Sequence, residues 1–218
     1  MNTAPFLYSR LLLLVCAICS SVRLCARDPE FVDVTERSGI EFLHRCGSPE
    51  KKRIDEVNGS GVALFDCDQD GDLDVYLVNA GSGQDVRAAA GAVNGLYRND
   101  GGWKFTDITA LSQAGDPGWG SGAAVADVDN DGRLDLYVTN RGPNALYRNL
   151  GGGRFSRLAD SGTEVPAWST SSSFADFDSD GLVDLYVANY LRLGPEGGGR
   201  RECEYKGLSI FCGPGGME

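Results

Sequence analysis

A nine-residue pattern, D-x-D-x-D-G-x-x-D, occurs three times in this chain and restricts its possible folds more than any other feature. The copies are Asp66-Cys67-Asp68-Gln69-Asp70-Gly71-Asp72-Leu73-Asp74, Asp127-Val128-Asp129-Asn130-Asp131-Gly132-Arg133-Leu134-Asp135 and Asp176-Phe177-Asp178-Ser179-Asp180-Gly181-Leu182-Val183-Asp184. Carboxylates held this close repel one another unless a hard cation lies between them. Ca2+ takes roughly six to eight oxygen ligands in flexible geometry, and a glycine lets the chain turn sharply around it. The expected ligands are the carboxylates at positions 1, 3, 5 and 9: Asp66, Asp68, Asp70 and Asp74; Asp127, Asp129, Asp131 and Asp135; Asp176, Asp178, Asp180 and Asp184. The main-chain carbonyl at position 7 (Asp72, Arg133, Leu182) would complete each cage, giving about three ions per chain. The alternative is a set of solvated Asp-Gly turns, but turns do not need carboxylates at four fixed offsets.

These are not EF-hand loops. Position 12, where an EF-hand places a bidentate Glu, holds Leu77, Val138 and Val187. The flanks read as strands rather than helices: Val62-Ala63-Leu64-Phe65 leads into the first loop, and Val75-Tyr76-Leu77-Val78, Leu136-Tyr137-Val138-Thr139 and Leu185-Tyr186-Val187-Ala188 leave the three loops. Each expected site therefore sits in a strand–loop–strand unit.

The loops belong to a longer repeat. Asn94-Gly95-Leu96-Tyr97-Arg98-Asn99 matches Asn144-Ala145-Leu146-Tyr147-Arg148-Asn149, and each passes through glycines into an aromatic segment, 103–109 and 154–159. Phe31-Val32-Asp33-Val34-Thr35 reads as the same closing strand ahead of the first unit. Asn94 to Asn144 spans 50 residues and Asp127 to Asp176 spans 49, whereas Asp66 to Asp127 spans 61 because of an Ala/Gly-rich insertion around 84–93. The 30 glycines suit many tight turns. A repeat of about 50 residues with four short strands predicts an all-β fold, a partial β-propeller of about three calcium-loop blades.

These residues resemble the FG-GAP/VCBS repeat family, whose calcium-loop blades also form integrin α-subunit propellers, and the resemblance covers residues 30–218. More narrowly, Phe42-x-His44 with Glu56 ahead of Gly59-Ser60-Gly61 looks like the opening blade of the family similar to cartilage acidic protein, with an ASPIC/UnbV-type C-terminal module. Asn189-Tyr190-Leu191, Cys203 and Phe211-Cys212-Gly213-Pro214 resemble a cysteine-bearing insertion (190–216) of that family. The resemblance implies that another Leu-Tyr-Arg-Asn strand would follow. Three blades cannot close a ring that takes roughly four to eight. The chain is therefore expected to be the N-terminal piece of a longer protein, the alternatives being self-assembly or an open arc.

Charge and targeting narrow the setting. The net charge of −11 arises mostly in the loops, which hold 13 of the 31 acidic residues, leaving 18 against 20 bases. Without a basic stripe, nucleic acid is not an expected partner. Residues 1–26, with Arg10 ahead of the apolar run 11–19, read as a secretory signal peptide cleaved near Ala26, or else an uncleaved anchor. No later segment reads as transmembrane. The expected location is secreted or extracellular (periplasm or cell surface in a bacterium). There the cysteines left after cleavage (Cys46, Cys67, Cys203, Cys212) can form disulfides; Cys203–Cys212 is the expected pair, and Cys46–Cys67 stays open.

Composition and motifs favour a non-catalytic scaffold that binds an extracellular protein or glycan. The alternative is the propeller portion of an extracellular polysaccharide lyase or hydrolase, and a purely structural matrix component is not separated from either. His44 is the only histidine, so neither a Ser-His-Asp triad nor a multi-His metal site is available. Carboxylates committed to a cation make poor proton donors near neutral pH. Trp119 and Trp168 each precede a loop by 8 residues, which marks a shared blade position serving either core packing or a carbohydrate platform. Asn58-Gly59-Ser60 is a glycosylation sequon.

Overall fold

Each acidic loop is flanked by two strands that pair antiparallel. In the first unit β1 (Val62–Phe65) pairs with β2 (Asp74–Leu77) across the loop, with Phe65 opposite Asp74. β3 (Gly95–Asn99) and β4 (Phe105–Asp107) then complete a four-stranded meander in the order β1-β2-β3-β4. The second unit repeats it with β5 (Gly120–Ala126), β6 (Asp135–Gly142), β7 (Ala145–Gly151) and β8 (Arg154–Leu158). β9 (Ala167–Ala175) and β10 (Asp184–Arg192) form the opening strand–loop–strand hairpin of a third unit. The computed structural model describes residues 30–46, 60–80, 92–192 and 202–211. The expected signal segment, the sequon at Asn58, most of the Ala/Gly-rich insertion and Cys212 lie outside them. A short hairpin, β11 (Glu202–Tyr205) with β12 (Leu208–Phe211), falls within the expected cysteine-bearing insertion. Among the described residues no helix is long and apolar enough to cross a membrane.

The antiparallel, all-β arrangement fits a propeller-like fold. Two complete four-stranded units and half of a third are described, and no sheet closes on itself.

The two complete units share one core. Alternation along β1 turns Ala63 and Phe65 inward, and they join Tyr76, Val78, Leu96 and Ile108 against Leu136, Val138, Tyr147 and Phe155 of the second unit. Phe65 and Phe155 meet edge-to-face with ring centroids 6.2 Å apart. The units approach so closely that a Cβ on Gly61 would lie 2.7 Å from the Gly122 Cα, so a larger residue there would force the sheets apart.

Trp119 and Trp168 occupy the predicted shared position, and both are buried. Trp119 bridges to Ala80, three residues beyond the first unit's loop-exit strand, and Trp168 pairs with Arg141 at the end of the second's. Each therefore packs where one unit hands over to the next, and the carbohydrate-platform alternative loses its exposed ring.

One strand expectation needs correction. Residues 31–34 are not a strand, and Thr35–Ser38 forms a single helical turn. A closing strand exists by pairing: β4 is held by β3, with Tyr97 opposite Asp107, and no described strand offers that partner to 31–34. The helical turn is itself part of the repeat. Phe31-x-Asp33-Val34-Thr35-x-x-Ser38 matches Phe105-x-Asp107-Ile108-Thr109-x-x-Ser112, which forms the same turn at Thr109–Ser112. In both copies the serine hydroxyl donates to the threonine carbonyl three residues back and accepts the N–H two residues on.

Candidate metal centres

The three loops adopt one backbone. Position 6 (Gly71, Gly132, Gly181) has φ of 94°, 87° and 87°, and position 4 (Gln69, Asn130, Ser179) is also left-handed at 68°, 56° and 64°. The position-1 carboxylate folds the loop over itself. Asp66 accepts the N–H groups of Gln69, Asp70 and Gly71, Asp127 those of Asp131 and Gly132, and Asp176 those of Asp180 and Gly181, at 2.7–3.1 Å. Position 5 accepts the N–H of position 7 in every copy: Asp72 on Asp70, Arg133 on Asp131 and Leu182 on Asp180. These bonds tie down turn N–H groups that would otherwise face only water.

The folded loops gather three carboxylates each, with one oxygen per residue all within 4.8 Å of one another. The trios are Asp66, Asp68 and Asp70 in the first loop, Asp127, Asp129 and Asp135 in the second, and Asp176, Asp178 and Asp184 in the third. Of the expected carboxylate ligands, Asp74 is outside the first trio, Asp131 outside the second and Asp180 outside the third; in the second loop the Arg133 guanidinium pairs with Asp131. There Arg148 also places its Nε 2.9 Å from Asp129. Side chains at position 7 (Asp72, Arg133, Leu182) are not in any trio; their expected contribution is the backbone carbonyl.

Position 9 does more than the ligand pattern anticipates. Asp74, fully buried, accepts the Cys67 N–H on one oxygen and the Asn99 N–H on the other, both at 2.8 Å. Asp135 does the same for Val128 and Asn149, at 3.0 and 2.7 Å, and Asp184 accepts Phe177 at 2.9 Å. This residue clamps the loop to its own exit strand and, in the complete units, to the Leu-Tyr-Arg-Asn strand beside it.

The donor set fits a hard divalent cation. All the converging atoms are carboxylate oxygens, and Asp68 has a buried Oδ1 with no hydrogen-bond partner. Burial, and next the neighbouring Asp70, push the Asp68 carboxyl above the usual carboxylate range; burial does the same to Asp135. Negative oxygens crowded out of water are stabilised by a cation among them.

Other singled-out residues have structural surroundings. His44 shares a hydrogen bond with Ser60 at 2.8 Å. Cys67 is a buried thiol, so it is not disulfide-bonded to Cys46. Burial, with Asp74 beside it, pushes its thiol pKa well up. Cys67 sits where loop 1 meets the β7–β8 turn: a Cβ on Gly153 would lie 3.5 Å from its Sγ.

The motif alone does not reveal Asn149. It is fully buried, and its side-chain amide donates to the Cys67 carbonyl of the first loop (2.9 Å) and the Leu134 carbonyl of the second (3.1 Å). The signal was present as the repeated Asn99 and Asn149 that close each Leu-Tyr-Arg-Asn strand.

Two comparisons bear on identity. No curated protein matches the chain. The family described as the FG-GAP-like repeat matches residues 66–138 and 127–187, so its matches begin on the first loop, meet at the second and run through the third. Those spans cover more than half of the 218 residues and take in all three acidic loops, and the chain belongs to the FG-GAP-like repeat family.

Proposed function

We propose that this chain is the calcium-stapled β-propeller region of a secreted, non-catalytic scaffold that binds an extracellular protein or glycan. The observation that carries the reading is the threefold recurrence of one loop backbone, each copy gathering three carboxylates within 4.8 Å. In this reading the trios Asp66, Asp68 and Asp70, Asp127, Asp129 and Asp135, and Asp176, Asp178 and Asp184 hold one Ca2+ each, and the carbonyls of Asp72, Arg133 and Leu182 add a ligand. The ion neutralises the carboxylates and fixes the angle between the flanking strands, so it serves the scaffold rather than chemistry.

The narrower kinship with ASPIC/UnbV-type proteins, the signal peptide and the Cys203–Cys212 disulfide belong to the same proposal. They rest on the resemblances and spacings of the sequence. A non-catalytic role is supported by the surroundings of the titratable groups: the only histidine is hydrogen-bonded to Ser60, and the aspartates are engaged with loop N–H groups. The test is binding and turnover on polyanionic glycans and on extracellular-matrix proteins, with Ca2+ and with EDTA. Calcium-dependent retention without turnover is the expected result; turnover would replace this reading with that of a lyase or hydrolase.

A further inference from the structure

The three loops are alike in themselves but are not connected alike. Asn149 reaches from the β7 strand into both of the first two loops. Its amide Nδ2 holds the Cys67 carbonyl at position 2 of loop 1 and the Leu134 carbonyl at position 8 of loop 2. Its own N–H donates to Asp135 at position 9 of loop 2, and its carbonyl accepts Arg133 Nε at 3.0 Å. A second bridge runs outside the core: Gln69 Nε2, at position 4 of loop 1, donates to the Gly132 carbonyl at position 6 of loop 2 at 2.9 Å.

The third loop has neither bridge among the described residues. Among the described residues no hydrogen bond joins loop 2 to loop 3. Asn130 and Ser179, the counterparts of Gln69, make none to a neighbouring loop. The side-chain amide of Asn99, the counterpart of Asn149 in the first unit, donates only to Leu73 of its own loop.

We propose that loops 1 and 2 bind their cations as a coupled pair through Asn149 and Gln69, a coupling that the described residues do not extend to loop 3; this rests on the calcium reading above. An ion in loop 2 orders Leu134 and Asp135, which fixes Asn149 and aims its amide at loop 1. An ion in loop 1 orders Cys67 and Gln69, which returns the constraint through the same two bridges. Each ion lowers the ordering cost met by the other, and the coupling is reciprocal. Asn149 and Gln69 touch no ion in this scheme; they are positioning residues.

Calorimetric titration of the full chain with Ca2+ tests this. Two variants each disable one loop: Asp127→Ala with Asp129→Ala for loop 2, and Asp176→Ala with Asp178→Ala for loop 3. Disabling loop 3 is expected to remove one ion and leave the other two dissociation constants unchanged. Disabling loop 2 is expected to remove one ion and weaken one of the remaining two by about 10-fold, within the usual range of coupling between sites. Gln69→Ala, an exposed change that leaves all ligands in place, should retain three ions but bind the coupled pair about 2- to 5-fold more weakly. Unchanged constants in both the loop-2 and the Gln69→Ala variants would overturn the coupling, as would equal weakening on loss of loop 3. If the loop-2 variant fails to fold by circular dichroism, Gln69→Ala decides alone. No ion bound by the unaltered chain is a different failure, since it removes the calcium reading itself.

Discussion

Tyr76, Tyr137 and Tyr186 stand at the same position of the repeat, two residues after the last aspartate of each loop, yet they have different fates. Tyr76 and Tyr137 are fully buried, whereas Tyr186 is 66% exposed. Tyr76 donates its hydroxyl to the Ala114 carbonyl and accepts Asn94; Tyr137 donates to Thr163 and accepts Asn144. In both cases the asparagine opens the unit's own third strand and the carbonyl follows its fourth. The third unit is described only as far as its first two strands, and its tyrosine has neither partner among the described residues. A strand–loop–strand unit is thus encoded locally, but its burial is supplied by the strands that come after it.

Substitutions at matched positions turn this contrast into measurements. The largest difference is expected for tyrosine to alanine. Tyr76→Ala should destabilise by about 3–5 kcal/mol in urea unfolding, because a full aromatic side chain leaves a closed core. Tyr186→Ala should stay within about 0.5 kcal/mol. An equal loss at both positions would mean that the Tyr186 face is covered in solution.

Next comes the position-9 clamp, measured in EDTA so that no ion contributes. Asp74→Ala strips the acceptor from two N–H groups, those of Cys67 and Asn99, and should destabilise by about 3 kcal/mol. Asp184→Ala strips one exposed N–H, that of Phe177, which water can satisfy, and should cost less than about 1 kcal/mol. Matching losses would show that the third loop is held as tightly as the first. The smallest contrast is the hydroxyl alone: Tyr76→Phe should lose about 1 kcal/mol and Tyr186→Phe close to nothing.

The same contrast explains what the sequence reveals and what it hides. The strands around Val62–Phe65, Val75–Leu77 and Leu136–Thr139 were legible because alternation and β-branched residues act within a few positions. The loops were legible because a turn that gathers carboxylates needs aspartate and glycine at set offsets. Residues 31–34 misled because a strand requires a neighbour to pair with, and pattern alone does not reveal whether one is present. The clamp made by Asp74 and the bridge made by Asn149 were hidden for a related reason. Asp74 reads as a ligand by position, and its bonds to Cys67 and Asn99 appear only once β3 lies beside β2. Asn149 contacts Cys67 across 82 residues of chain, a separation set by how the units pack.

The central claim is that the acidic loops are ion-held staples, and one experiment tests it most directly: thermal unfolding of the full chain in Ca2+ and in EDTA, with the bound ions counted. The account predicts a saturable rise in melting temperature with about three ions bound, each contributing about 2.7 kcal/mol when free Ca2+ is about 100 times its dissociation constant. An unchanged melting temperature with no ion bound would contradict it and leave the loops as solvated turns.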